Sequence, residues 1–545
     1  MKVEAGELIY KERDSVIVLQ KSSRLTREGM VTESDRGVVF LENGEIRRLE
    51  AATARGVFQP GTGRRVEYAA DQLYMNFAAN GEVDRVTGER HARVASLDQS
   101  GRTTVTANRL EMEFEVASGE SLLRRGMATG GAAMESVPLA TGGAAQRETR
   151  VLRSDGIDLF MQPGGREIRQ VQTRAPGTIE FLPNLPTQSR RRLDGERISI
   201  DYGPQNRMRS LHATGASTRT EPAKRPSGPA LPAMLTSSKD LRADFDPSSG
   251  ELSQMEQWTG FRYEQGDRRG RADRGLFDPG SNHVTLRTGA RLWDPSGSLA
   301  ADLIVLDQKT GDVNAEGNVA STREPERGGQ SAAVLSESGP FLARASRMSM
   351  AGGGRRVIHY EGGVVAWQGG NRIESDRLDI DRGQRTLAAR GNVRSQFIER
   401  PARGAKQAPV FTLIRSRELD YGEATRTAHC RGDVILLRAG LEVHSDELQG
   451  VFAAANGGSN LETAIADGKV RIIRNEPGRK RLGVAEHAVY TVAQNKVVLS
   501  GGSPEFSDSL RGSTRGAQLT WFAGDDRLLV DGREGQPAFS RVLRK

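Results

Sequence analysis

Apolar and polar residues alternate with a period of two over most of the chain. In the segment around Gly391 one parity holds Leu387, Ala389, Gly391 and Val393, and the other holds Arg390, Asn392 and Arg394. The same alternation gives Ala428, Cys430, Gly432, Val434 and Leu436, then Ala464, Ala466, Gly468, Val470 and Ile472, the last set opposed by Asp467, Lys469 and Arg471. Side chains of a strand point alternately to its two faces, so this pattern predicts half-buried strands with one dry and one wet face. Between strands stand short polar turns with glycine, such as Asp307 to Val313, Asp246 to Leu252, Glu42 to Ile46 and Ala79 to Val83. Asp followed by Ser/Thr-Gly suits a short hairpin loop with glycine in the left-handed region. No stripe at helical spacing is sustained anywhere. The expected class is all-β and antiparallel.

Two short motifs recur. One is small-x-Gly-x-Val, as in Asp312 to Val319, Thr386 to Val393, Thr427 to Val434 and Thr463 to Val470. The other, small-Asp-x-Leu-x-apolar, follows a polar turn, as at Ala300, Glu374, Arg415 and His444. Copies of the second are separated alternately by about 30 and about 40 residues, so the true period is about 70. Short steps close at Trp293, Trp367 and Leu437; long steps carry polar, proline-bearing loops at Glu221 to Met234, Arg323 to Pro340, Glu399 to Pro409 and Asn475 to Arg481. Their regular recurrence favours long loops on one rim of a repeat array over linkers between domains. The expected segments are 1–221, with the pattern degenerate at 126–197, then 238–400 and 411–545.

Aromatics are only 5% of the chain, so the core is built from aliphatic residues and alanine. The recurrent Ala and Gly of the dry face either let two sheets approach closely or leave an apolar groove. Of the 78 Lys+Arg only 11 are lysine, leaving 67 arginines; acids are interleaved with them, so the net charge of +8 reads as a solvated surface. Aromatics are too few and charge too mixed for a nucleic-acid platform. The single Cys430 excludes an internal disulfide framework and a Cys-rich zinc site. The seven histidines show no HExxH spacing, and no P-loop, GxGxxG, GxSxG or EF-hand loop is present. His429 and Cys430 are adjacent on a strand and so point to opposite faces. No catalytic residue, metal site or cofactor is expected. No apolar run is long enough for a membrane helix, and the first residues, MKVEAGELIY, read as a strand under way rather than a signal peptide.

The paired motifs, clearest at Ala388 to Leu419 and Ala428 to Leu448, resemble the OstA-like repeat of the lipopolysaccharide-transport bridge proteins, the LptA/LptC group. The resemblance implies an elongated stack of antiparallel V-shaped β-jellyroll turns without enzymatic activity. It implies a periplasmic location between the inner and outer membranes, with lipopolysaccharide acyl chains lying in an apolar β groove. Mapped onto this chain, that groove is lined by Ala389, Gly391, Val393, Gly432, Val434, Leu436, Ala466, Gly468, Val470 and Ile472. Rim arginines would meet the lipid phosphates. The implied partners are lipopolysaccharide, an inner-membrane ABC transporter, an outer-membrane assembly complex, and like-folded Lpt components docking on edge strands at Val3 to Tyr10 and Leu528 to Leu543. A structural or adhesive β-repeat protein of the envelope is the alternative, and a carbohydrate-acting β-helix enzyme is disfavoured by the hairpin turns.

Overall fold

A computed structural model describes the chain except for residues 1, 28, 60–62, 118–119, 140–146, 224–231, 326–338, 353–356, 400–409, 453–460, 536 and 544–545. The described residues form 36 strands and three single-turn 3-10 helices. They divide into two compact units, Met1–His283 and Val284–Lys545. Within each unit consecutive strands pair antiparallel, as in the run Asn371–Asp381, Thr386–Glu399, Val410–Gly422, Thr427–Arg438, Leu441–Phe452 and Leu461–Glu476. The chain is all-β and antiparallel, as the alternation predicts.

What the alternation does not predict is that the long strands bend at mid-length. Gly391 and Asn392 both lie in the left-handed region, with φ of 76° and 48°. Around them Glu374 pairs with Arg394 and Arg377 with Arg390, which sets three residues of one strand against two of the next. That one-residue excess is a β-bulge, and it turns the strand. Equivalent pairs stand at Gly317–Asn318, Gly362–Gly363, Gly432–Asp433 and Gly468–Lys469, on every second strand. In the first unit they stand at Arg90–His91, Gly130–Gly131 and Thr259–Gly260.

The neighbouring strand supplies the other half of each corner. Asn392 Nδ2 donates to Asp376 Oδ2 at 2.8 Å and Asn318 Nδ2 to Asp302 Oδ2 at 2.8 Å. Arg417 donates to Asp433, and Lys469 Nζ to Asp446 Oδ1 at 3.5 Å. The small residue of that motif is often serine, whose hydroxyl spans the bend: Ser375 Oγ donates to Arg377 O and Ser416 Oγ to Glu418 O, each at 2.9 Å. Glycine is needed where a Cβ would fall on the facing carboxylate, as at Gly391 against Asp376. The two recurrent motifs are therefore the two sides of one corner.

Most of the long loops expected at Glu221 to Met234, Arg323 to Pro340 and Glu399 to Pro409 lie outside the described residues. The fourth expectation is corrected. Asn475 to Arg481 is a tight hairpin in which Glu476 pairs with Arg479 across Pro477 and Gly478. Proline sits there as a turn residue and not as part of a loop. The stretch 126–197 loses the motifs because its bent strands are broken in two. Ile168–Thr173 and Gly177–Leu182 both pair with Thr149–Met161, and Arg190–Gly195 and Arg197–Gly203 both pair with Arg207–Glu221. Past Gly130–Gly131 the corner is made where a strand is interrupted by a turn, so no Gly-Asn bulge is required there.

Candidate functional site

Bending at every corner makes two arms whose inner faces meet. Of the positions mapped to a groove, Ala389, Val393, Val434, Leu436, Ala466, Val470 and Ile472 are buried on those faces. Gly391, Gly432 and Gly468 are not. They stand half-exposed at the corners, because the bulge takes them out of the alternation that assigned them inward. The small inward residues are matched by large ones from the intervening strands: Leu378, Leu419 and Leu448 are fully or almost fully buried, with Tyr360, Tyr421, Phe397 and Phe452 beside them. Phe452 meets the rings of Phe397 and Tyr421 edge-on, at 6.4 and 6.5 Å. The interior between the arms is close-packed. Among the described residues a cavity beside Phe397, Cys430 and Phe452 measures about 20 Å³, room for about one water molecule and no acyl chain.

The buried charged side chains of the described residues are Asp158, Arg438, Arg481 and Asp508. Burial pushes the Cys430 thiol up to about 12, and it pushes the Tyr68 and Tyr202 phenols up to about 12. Histidines lie on the outer faces against carboxylates, His359 Nδ1 with Asp379 at 2.6 Å and His487 Nδ1 with Asp467 at 2.6 Å. Such side-by-side pairs on a strand surface are ordinary cross-strand contacts. Among the described residues no group of three or more His, Cys, Asp or Glu is placed to hold a metal ion. Among the described residues no helix is long and apolar enough to cross a membrane.

The feature the sequence conceals is the mouth opposite the corners. In the second unit the turn between Glu476 and Arg479 stands at one rim of the bent sheet. The turn between Phe522 and Arg527 stands at the other, since Phe522 pairs with Lys496 and Lys496 with Thr491 at the far end of the strand Arg479–Thr491. The bend brings these rims together. Arg474 Nη1 donates to Ala523 O at 3.3 Å, Arg479 Nη1 to Asp526 Oδ2 at 2.7 Å, and Arg481 Nη2 pairs with Asp526 Oδ1 at 2.8 Å. The guanidinium groups of Arg474 and Arg481 each lie 5.7 Å from the Trp521 ring centroid.

The first unit repeats the arrangement. Arg27, beside the turn to Met30, reaches Gly81 O and Glu82 in the opposite turn between Phe77 and Val83. Arg150 Nη2 donates to Gly250 O at 2.7 Å across the same gap. Its guanidinium lies 5.9 Å from the Phe181 centroid and 5.7 Å from that of Phe245, and those two rings stack at 6.1 Å from opposite rims. No local signal announces these contacts, because the hydrogen bonds and ion pairs across the mouth join positions separated by 45 to 100 residues.

A family match falls on the same region. Residues 413–523 match the family described as LptA/(LptD N-terminal domain) LPS transport protein. That segment holds the corners at Gly432–Asp433 and Gly468–Lys469 and the Arg474–Trp521 contact. No curated protein matches the chain. A solved structure, that of LptH, the LptA homologous periplasmic component of the lipopolysaccharide transport device of Pseudomonas aeruginosa, aligns at 13% identity and a TM-score of 0.22, over 24% of this chain and 95% of its own.

Proposed function

We propose that the chain is a non-enzymatic periplasmic lipid conduit, which takes lipopolysaccharide acyl chains between its arms and bridges inner-membrane extraction to outer-membrane assembly. The observation that carries this reading is the coincidence of the LPS-transport family match at 413–523 with a dry interior built on alternate residues of successive strands. Each acyl CH₂ taken from water into such an interior recovers about 0.8 kcal/mol. Loading then requires the packed arms to part. Exposed apolar residues on the end strands support docking of like-folded Lpt partners, in the manner of either LptA or LptC: Leu8 and Tyr10 at one end, Phe539 and Val542 at the other.

The test is photo-crosslinking from a reactive residue at Val434 or Val470, with Arg471 on the outer face as control. Lipopolysaccharide labelling at the two valines alone is expected, and equal labelling at all three sites would sink the reading. The small cavity favours a second reading, a structural or adhesive β-array whose interior never opens. Under that reading depletion of the protein leaves outer-membrane lipopolysaccharide intact.

A further inference from the structure

The interior is closed at its mouth by arginines, held in the first unit partly by a neutral carbonyl and in the second by fewer carboxylates than there are arginines. Among the described residues Arg150 has no hydrogen bond to a carboxylate. It holds the opposite rim through a neutral carbonyl, Gly250 O, while the neighbouring Glu148 is taken by Arg191 at 2.5 Å. In the second unit Arg474, Arg479, Arg481 and Arg511 converge on Glu476, Asp508 and Asp526, four cations on three anions. Asp526 alone is shared among Arg479, Arg481 and Arg511. A phosphate offers Arg150 more than its carbonyl does, and offers the second-unit arginines one further anion. It accepts bidentate, charge-assisted hydrogen bonds, roughly twice as strong as those to a neutral carbonyl. The rings beneath Arg150, Arg474 and Arg481 stay in place whichever oxygen the arginine holds.

We propose that these cross-rim arginines are phosphate-operated latches, through which a phosphorylated, acylated amphiphile is admitted sideways into each unit. The phosphate takes Arg150 from Gly250 O, or Arg479 and Arg481 from Asp526. The rims separate, and the acyl chains pass over Phe181 and Phe245, or over Trp521, into the interior. The inference rests on the lipid-carrier reading and adds the route and the trigger. It accounts for two observations at once: the described interior beside Phe397, Cys430 and Phe452 holds a cavity of only about 20 Å³, and Arg150, Arg474 and Arg481 at the mouths are laid on aromatic rings.

Cys430 makes the latch testable, since it is the only cysteine and is buried. In the full chain, Arg474→Cys with Ala523→Cys is bridged by a short bismaleimide that a reductant cleaves, and lipopolysaccharide loading is read from a photoreactive residue at Val470. Loading is expected to fall at least tenfold in the bridged protein and to return on cleavage, which separates locking from misfolding. Undiminished loading in the bridged state overturns the latch. Failure of the same protein to load after cleavage, with unsubstituted protein also failing, overturns the lipid-carrier reading instead. Asp526→Asn is expected to raise the loading rate severalfold, and an unchanged rate counts against the latch. Dephosphorylated lipopolysaccharide is expected to load at least tenfold less, and equal loading removes the phosphate trigger. Inorganic phosphate at millimolar concentration is expected to leave thiol labelling of Cys430 unchanged while lipopolysaccharide accelerates it. Acceleration by inorganic phosphate alone would make this a free-anion site and overturn the proposal.

Discussion

A single pair of residues decides where each strand turns. At Gly391–Asn392 the backbone needs two successive left-handed conformations, and glycine must come first because Asp376 occupies the space of a Cβ. Gly391→Ala is therefore expected to cost about 2 kcal/mol in denaturant unfolding, from positive φ and the displaced carboxylate together. Asn392→Gly is expected to cost much less, since it keeps the conformation and loses one exposed hydrogen bond. Cys430 answers a different question at the same scale. Its thiol, pushed up to about 12 by burial, carries almost no thiolate at pH 8, and native alkylation is expected to run at least about a thousandfold slower than in the unfolded chain. Labelling at the free-thiol rate would mean that the interior is open at rest.

At the scale of elements, strands and turns were legible because both signals are local: a period of two, and polar glycine turns every few residues. The corners were half legible. Both motifs stood out, yet strict alternation placed Gly391, Gly432 and Gly468 inward, and only the paired register reveals the extra residue that carries them outward. The packing of Ala389 or Ala466 against leucines of the next strand was hidden too, since small residues suit a channel and a close contact equally. The arginine contacts at the mouth were invisible, because 67 arginines offer too many partners and sequence distance ranks none of them. One of these contacts gives a pH test. Burial opposes the charge of Asp508, but hydrogen bonds from Arg479 and the Leu510 N–H, with the charges of Arg479 and Arg481, outweigh it and hold the carboxyl below 3.8. A carboxyl depressed on folding stabilises fully above its unfolded value and loses that contribution as pH falls through the folded one. Stability is expected to drop below about pH 4. Asp508→Asn should flatten that drop while costing about 3 kcal/mol at neutral pH, as loss of one partner of a buried pair does. An unchanged acid limb would remove Asp508 from the account.

For the whole molecule the decisive question is what meets its end strands. Lys2–Lys11 pairs with Val16–Arg27 and Phe539–Val542 with Gly512–Arg515, and no further strand pairs with either among the described residues. An unpaired edge with exposed apolar side chains is a template for another chain, unless charge or a bend blunts it. Ile9 is 38% exposed and Val542 76% exposed, and the residues around them include Leu8, Tyr10 and Phe539 rather than a run of lysines. Ile9→Lys and Val542→Lys place a charge in each edge without touching a corner, a latch or the interior. If the edges join successive copies or like-folded partners, either substitution should weaken association at least tenfold in sedimentation or pull-down, while the unfolding midpoint stays within experimental error. Combining both in one chain should leave its own strands intact and abolish joining at both ends. Association unaffected by either charge would move the docking surface away from the edges, to the outer faces, where arginines and carboxylates already satisfy one another.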